Sequence, residues 1–279
     1  MTSLGSSHGS ITVINAMPCG IGATIGVDLT TKAVFSETGG SRTVRIRSDE
    51  SEDTGMASIC VRKAYEYAGI PEPEDWMLET ESQIPVSRGL KSSSSACNAI
   101  LRAVFSEMDV EMDPVDLIGL GVACAREAKV TVTGSFDDAC GCGLGGFVMT
   151  DNRKDEILER RNVEPCDVII SVPMFKIRKS TMPIEKLHAV APQIREAISY
   201  ASDDPYRAMT VNGRIISSVQ GVDNSIAEKA VSMGALGAGM SGSGPAVAIV
   251  IPRGDGASFA KDLGIDMKET IITNTRCGE

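Results

Sequence analysis

Two adjacent carboxylates, Asp137 and Asp138, stand among small residues in the stretch Thr133 to Gly146, TGSFDDACGCGLGG. Phosphoryl transfer to an alcohol uses a carboxylate beside the attacking hydroxyl, to orient it and to accept its proton. The same residue types also make Asx turns with solvated side chains, so the pair alone does not decide. A second stretch says more. Pro85-Val86-Ser87-Arg88-Gly89-Leu90-Lys91-Ser92-Ser93-Ser94-Ser95 runs into an amphipathic helical pattern that continues to Met108. Gly89 permits an awkward backbone turn. The serines fall on a first helical turn, whose N–H groups lack intrahelical partners and attract anions. Serine hydroxyls add hydrogen bonds to phosphate, or ligate a phosphate-bridging Mg²⁺. One serine suffices for a cap; four in succession point to a phosphate cradle. The third stretch, Gly234 to Pro245 (GALGAGMSGSGP), holds more glycine than a hairpin turn needs and reads as a second phosphate-facing loop. Glu127, ten residues before Asp137 at the end of an apolar helical pattern, is placed to serve Mg²⁺; taken alone it is an ordinary helix-terminal residue.

Other nucleotide sites are excluded by context. The loop G-x-x-x-x-G-K-[ST] does not occur in the chain. G-x-G-x-x-G occurs at Gly141–Gly146 and Gly237–Gly242, but apolar strand patterns, Phe147–Thr150 and Ala246–Ile251, follow each match. A dinucleotide fingerprint requires a helix there, so the dehydrogenase reading falls even though Asp262 lies at a suitable distance.

The elements that must position these residues alternate without a long parallel βαβ series, which predicts an α+β architecture of two sandwiched halves. Strands are expected at 11–16, 25–35, 42–47, 79–84, 130–133, 147–150, 168–172, about 235–251 on both sides of the Gly-rich turn, and 269–273. Helices are expected at about 54–68, 92–108, 114–128, 183–200, 205–219 and 222–233, with a short one before the last strand. The segment 134–146 reads as a loop, and the charged stretch Asp151–Arg161 as a seam between residues 1–150 and 151–279. The 279 residues suffice for such a pair of halves. A net charge of -10 and 4% aromatic residues argue against a nucleic-acid partner. No apolar run approaches the roughly 20 residues of a membrane span. The start lacks signal-peptide character. Eight scattered cysteines, with Cys140 and Cys142 the one close pair, and two histidines suit reduced thiols in the cytoplasm better than a metal or disulfide framework.

Taken in order, three stretches resemble the signatures of the GHMP kinases: Asn15–Asp28 (NAMPCGIGATIGVD), Pro85 to Ser94, and Gly237-Ala-Gly239-Met-Ser241-Gly242. Within that superfamily the run Ser92–Ser95 after Lys91, the segment TGSFDDAC before a Gly-Gly pair, and the compact length resemble the archaeal type of shikimate kinase. The resemblance implies a ribosomal-protein-S5-like N-terminal half packed on a ferredoxin-like C-terminal half. It implies transfer of a phosphoryl group from ATP to shikimate in aromatic amino-acid biosynthesis. Carried to this chain, Pro85–Ser95 would wrap the ATP phosphates with Gly237, Gly239, Ser241 and Gly242 behind them. Ser93 and Glu127 would hold Mg²⁺. Asp137 would sit by the acceptor hydroxyl, with Asp138 its rival. Asn15 would touch substrate. A basic residue must hold the substrate carboxylate, with Arg178, Lys176, Lys179 and Arg88 as candidates. Lys91 departs from the family, standing where other members carry glycine. Two alternatives stay open: another GHMP kinase acting on homoserine, a mevalonate-type acid or a sugar, and a non-catalytic nucleotide-binding module.

Overall fold

The computed structural model describes residues 2–37, 41–48, 52–131, 133–177 and 182–278. Two sheets carry the chain. The first has the order β3-β4-β2-β5-β6, with β1 also paired to β2. Its centre is the long β2 (Ile21–Ser36), antiparallel to β1 (Ser3–Ile14) along its length, to β4 (Met77–Ser82) at one end and to β5 (Phe147–Asp151) at the other. Strand β3 (Thr43–Ile46) runs parallel to β4, and β6 (Glu156–Arg161) closes the other edge against β5. The second sheet, in the order β10-β7-β9-β8, is antiparallel throughout: β7 (Cys166–Ser171), β8 (Gly237–Met240), β9 (Val247–Pro252) and β10 (Thr270–Asn274).

Helices α1 (Gly55–Ala68), α2 (Ser92–Glu107) and α3 (Pro114–Glu127) bury a core with Phe35, Tyr65, Trp76 and Leu78. The other large core joins the halves. Ile11, Val13 and Ile14 of β1 pack with Val168 and Ile170 of β7, and with Leu187, Ile194 and Met209 from α5 (Ile184–Ala189), α6 (Ala191–Ala201) and α7 (Pro205–Gln220). Burial of this continuous apolar surface holds the two sheets in one fixed relation, which a site assembled from both halves requires. Helices α8 (Ser225–Ser232) and α9 (Gly256–Leu263) cover the far side of the second sheet. Among the described residues no helix is long and apolar enough to cross a membrane.

The architecture is α+β as expected, with five local corrections. The Ser/Gly-rich start is strand from Ser3, with Gly5 letting α2 lie close, since a Cβ there would fall 2.1 Å from Ala99 O. Residues 134–146 are mostly helix, α4 (Phe136–Leu144), rather than loop. Gly141 and Gly143 mislead a propensity reading. A Cβ at Gly141 would lie 2.2 Å from Thr24 Oγ1 of β2, and one at Gly143 2.8 Å from Ile118 Cδ1 of α3, so their bareness lets this helix pack onto the sheet and onto α3. Val130, Thr131 and Thr133 are not strand: α3 ends in a tight turn with Lys129 at φ +56° and the Val130 N–H bonded to Ala125 O. The stretch 151–161 ends β5 and forms β6, so its charges belong to an edge strand of the first sheet rather than a seam. The predicted helix 183–200 is two, α5 and α6, meeting at Val190 before Pro192.

Candidate active site

The start of α2 is built as an anion cradle. Lys91 occupies its cap in the left-handed region (φ +69°) and offers no side-chain cap to the helix. The backbone ladder begins with the Ser95 N–H bonded to Lys91 O, leaving the amides of Ser92, Ser93 and Ser94 ahead of it. These three serines, Gly89 and Lys91 line a cavity of about 340 Å³ between the two halves, together with Gly242 and Ser243 of the Gly-rich turn. That turn locks the cradle in place. Ser241 Oγ donates to Gly89 O (2.9 Å) and accepts from the Thr12 N–H (3.1 Å), while the Gly242 N–H donates to Thr12 Oγ1 (2.9 Å). Gly89 is at φ +81°, and a Cβ there would lie 1.9 Å from Ser241 O. Gly89→Ala is therefore expected to cost on the order of 2–3 kcal/mol, through strain and displaced backbone. A thermal melt should show a Tm lower by several degrees and little added protection from ATP; an unchanged melt would refute the close packing.

Asp137 and Asp138 lie in the first turn of α4, at the wall facing the cradle, and both line the cavity. Their surroundings differ. Asp138 Oδ1 meets Lys91 Nζ at 2.9 Å, with both side chains buried, and Lys91 Nζ also donates to Thr12 Oγ1. Asp137 packs against Gly22, where a Cβ would fall 2.3 Å from its carboxylate. It accepts a hydrogen bond from Asn152 Nδ2 (2.7 Å), and its N–H donates to Asn152 Oδ1 (3.1 Å). Burial and the neighbouring Asp138 push the Asp137 carboxyl up to about 6, with Lys91 and Asn152 opposing.

The other predicted residues divide. Val86, Ser87 and Asn15 reach the cavity wall. The polar atoms of the Asn15 side chain are already engaged, by Gly242 O and the Met17 N–H, which makes it a strut between β1 and the Gly-rich turn. Pro85, Arg88, Leu90 and Ser95 are not in the wall: Leu90 is core, Arg88 donates to Met174 O, and the Ser95 hydroxyl is buried without a partner. Gly237 and Gly239 sit in β8 and serve the packing of α7, where a Cβ would strike Tyr206 O or Met209 O. Lys176 pairs with Glu52 at the cavity mouth, and Arg178 and Lys179 lie outside the described residues. The structure does not bring Glu127 to the cavity, since it pairs with Arg62 and Lys63 on the outer face. Sequence reading missed Thr12, Asn152 and Lys129. Thr12, a lone hydroxyl within an apolar strand, was a legible signal. Asn152 in a charged turn gave none.

Cradle and carboxylates thus face one another across one cleft, the arrangement that phosphoryl transfer to a small alcohol requires. The family model for the GHMP kinases N-terminal domain matches residues 54–146, and that for the GHMP kinases C-terminal domain matches 192–268. The chain belongs to the GHMP kinase family. Its curated relatives include the shikimate kinases of Methanosarcina acetivorans, 37% identical over 88% of this chain and 83% of that one, and of Pyrococcus furiosus, 32% identical over 99% and 100%. The mevalonate kinase of Methanococcus jannaschii shares the fold with a TM-score of 0.80 at 16% identity, covering 100% of this chain and 99% of that one. A homoserine kinase from Cytophaga hutchinsonii gives 0.71 at 16%, covering 99% and 95%. The protein is accordingly an ATP-dependent small-molecule kinase that works with Mg²⁺.

The residues present fit that pair of ligands. Three serines at a helix start with no side-chain cap suit a polyphosphate, and Ser92, Ser93 and Ser94 all line the same cavity. Magnesium bound with nucleotide takes most of its oxygens from phosphate and water, so a single protein hydroxyl is a reasonable share.

Proposed function

We propose that the protein transfers the γ-phosphoryl group of ATP to the 3-hydroxyl of shikimate, giving shikimate 3-phosphate and ADP. The observation that carries the chemistry is the buried Lys91–Asp138 pair, opening into the same cavity as Ser92–Ser94. The choice of acceptor is supported by relatives named shikimate kinase that match along most of the chain. Between the two carboxylates, we assign acceptor activation to Asp138. Its oxygen accepts the hydroxyl proton as the acceptor oxygen bonds to the γ-phosphorus and the bond to ADP breaks. Lys91 holds Asp138 in place and offsets negative charge gathering at the transferring group. The amides and hydroxyls of Ser92–Ser94 would hold the remaining phosphates, and Ser93 would hold Mg²⁺, which would neutralise phosphate charge. Asp137, fixed by Asn152, supports the turn that aims Asp138. Seven buried free thiols fit a reducing cytoplasm.

The fold neighbours keep a second reading open, a kinase of another hydroxy acid such as homoserine or mevalonate. An acceptor panel separates them. Mg²⁺-dependent ADP release is expected to have its highest kcat/KM with shikimate, and faster release with homoserine or mevalonate would overturn the assignment.

A further inference from the structure

A second cavity, of about 460 Å³, adjoins the first and shares Ala16, Met17 and Thr133 with it. The two differ in charge. Glu52, Asp137 and Asp138 face the first, alongside Lys91 and Lys129. Among the described residues the second is lined by Arg126, Arg153 and His188, and by no carboxylate. Its cations are not equivalent. Arg126 is held by Asp155 in a two-pronged pair at 2.6 and 2.7 Å, so its fork is already matched. Arg153 has no carboxylate partner among the described residues. Its side chain lies across the bare backbone of Gly20 on the β1–β2 turn, where a Cβ would fall 2.5 Å from the guanidinium Nε. The neighbouring Asn152 ties the same turn to the catalytic wall: its N–H donates to Gly20 O (2.8 Å), and its side chain holds Asp137. His188, on α5 of the C-terminal half, completes the wall.

We propose that Arg153 is the clamp for the carboxylate of the acceptor, which spans both cavities with its hydroxyl at Asp138 and its anionic end in the second. An unmatched guanidinium in a cavity without carboxylates is the group that binds a carboxylate through two parallel hydrogen bonds. The assignment rests on the acceptor being a hydroxy acid; in shikimate the carboxylate and the 3-hydroxyl stand in a 1,3 relation on one ring.

The test combines the variants Arg153→Gln and Arg153→Lys with shikimate and its uncharged methyl ester. Arg153→Gln is expected to raise KM for shikimate about 100-fold with KM for ATP within twofold, and Arg153→Lys to recover part of the loss. Wild-type enzyme should lose a comparable factor on the ester, and Arg153→Gln should lose little more. If Arg153→Gln still prefers acid to ester as strongly as the wild type does, the clamp is elsewhere, while wild-type turnover of shikimate leaves the acceptor assignment standing. If the wild type ignores shikimate and turns over homoserine or mevalonate, the acceptor assignment fails and the same comparison is made with that acid. Turnover of uncharged acceptors alone would overturn both.

Discussion

Asp138→Asn lowers kcat by 10²–10⁴-fold while KM for ATP stays within a few-fold. The range is the usual contribution of a positioned general base. Nucleotide binding is expected to survive, because the change leaves untouched the α2 amides and serine hydroxyls proposed to hold the phosphates. Asp137→Asn separates the two carboxylates. Its partner Asn152 donates to Asp137 Oδ1, and an asparagine oxygen still accepts that bond. The expected fall in kcat is about tenfold or less, since the residue acts through the turn that carries Asp138. Stability moves the other way. The folded-state pKa of Asp137, about 6, lies above the ordinary aspartate value, so its protonated form is the one that folding favours. Its contribution is full below about pH 4 and is lost as pH rises through 6. At pH 8, Asp137→Asn should therefore be more stable than wild type by up to about 2 kcal/mol, a gain that vanishes toward pH 4. Thermal melts across that range check the sign. If Asp137→Asn abolishes turnover and Asp138→Asn does not, the roles are reversed.

The residues that make this comparison necessary mark how far the sequence was legible. The cradle could be read because its chemistry is contiguous: a helix start, a glycine and serines in one run fix their own geometry. Most strands and helices were legible for the same reason, since their periodicity is local. The Lys91–Asp138 pair was not, because its partners lie 47 positions apart on two different helices, and Lys91 reads as a departure from a glycine until its distance to Asp138 is seen. Thr12 joins them from a third element. Glu127 shows the opposite failure. Its spacing from Asp137 suggested a shared site, but the helix presents it to Arg62 and Lys63 on the outer face. Glycines misled twice in the same way. Those in α4 and at Gly237 and Gly239 looked like loop chemistry, whereas they are where helix backbone and sheet approach too closely for a side chain.

Lys91→Met gives the second large effect, and Lys91→Gly shows that the effect is chemical. Lys91 brings a positive charge to two adjacent buried carboxylates, and it stands beside the serines proposed to hold the triphosphate. Methionine keeps the unbranched stem and removes the charge. An uncompensated buried carboxylate costs several kcal/mol, which the protein reduces by keeping a proton on one of the two. The variant should therefore lose at least 10³-fold in kcat at pH 7, from the lost base together with the lost electrostatic stabilisation. The acid limb of its pH–kcat profile should move upward, a shift that a purely structural role would not produce. Glycine at 91 is the discriminating control. The backbone there is left-handed (φ +69°), which costs a residue with a side chain about 1–2 kcal/mol and costs glycine almost nothing. Lys91→Gly also admits water to Asp138. It should melt higher than Lys91→Met, by about 1 kcal/mol in stability, and yet remain as poor a catalyst. Recovery of near-wild-type kcat in Lys91→Gly would show that position 91 serves only the turn, and the lysine would then have no part in the transfer.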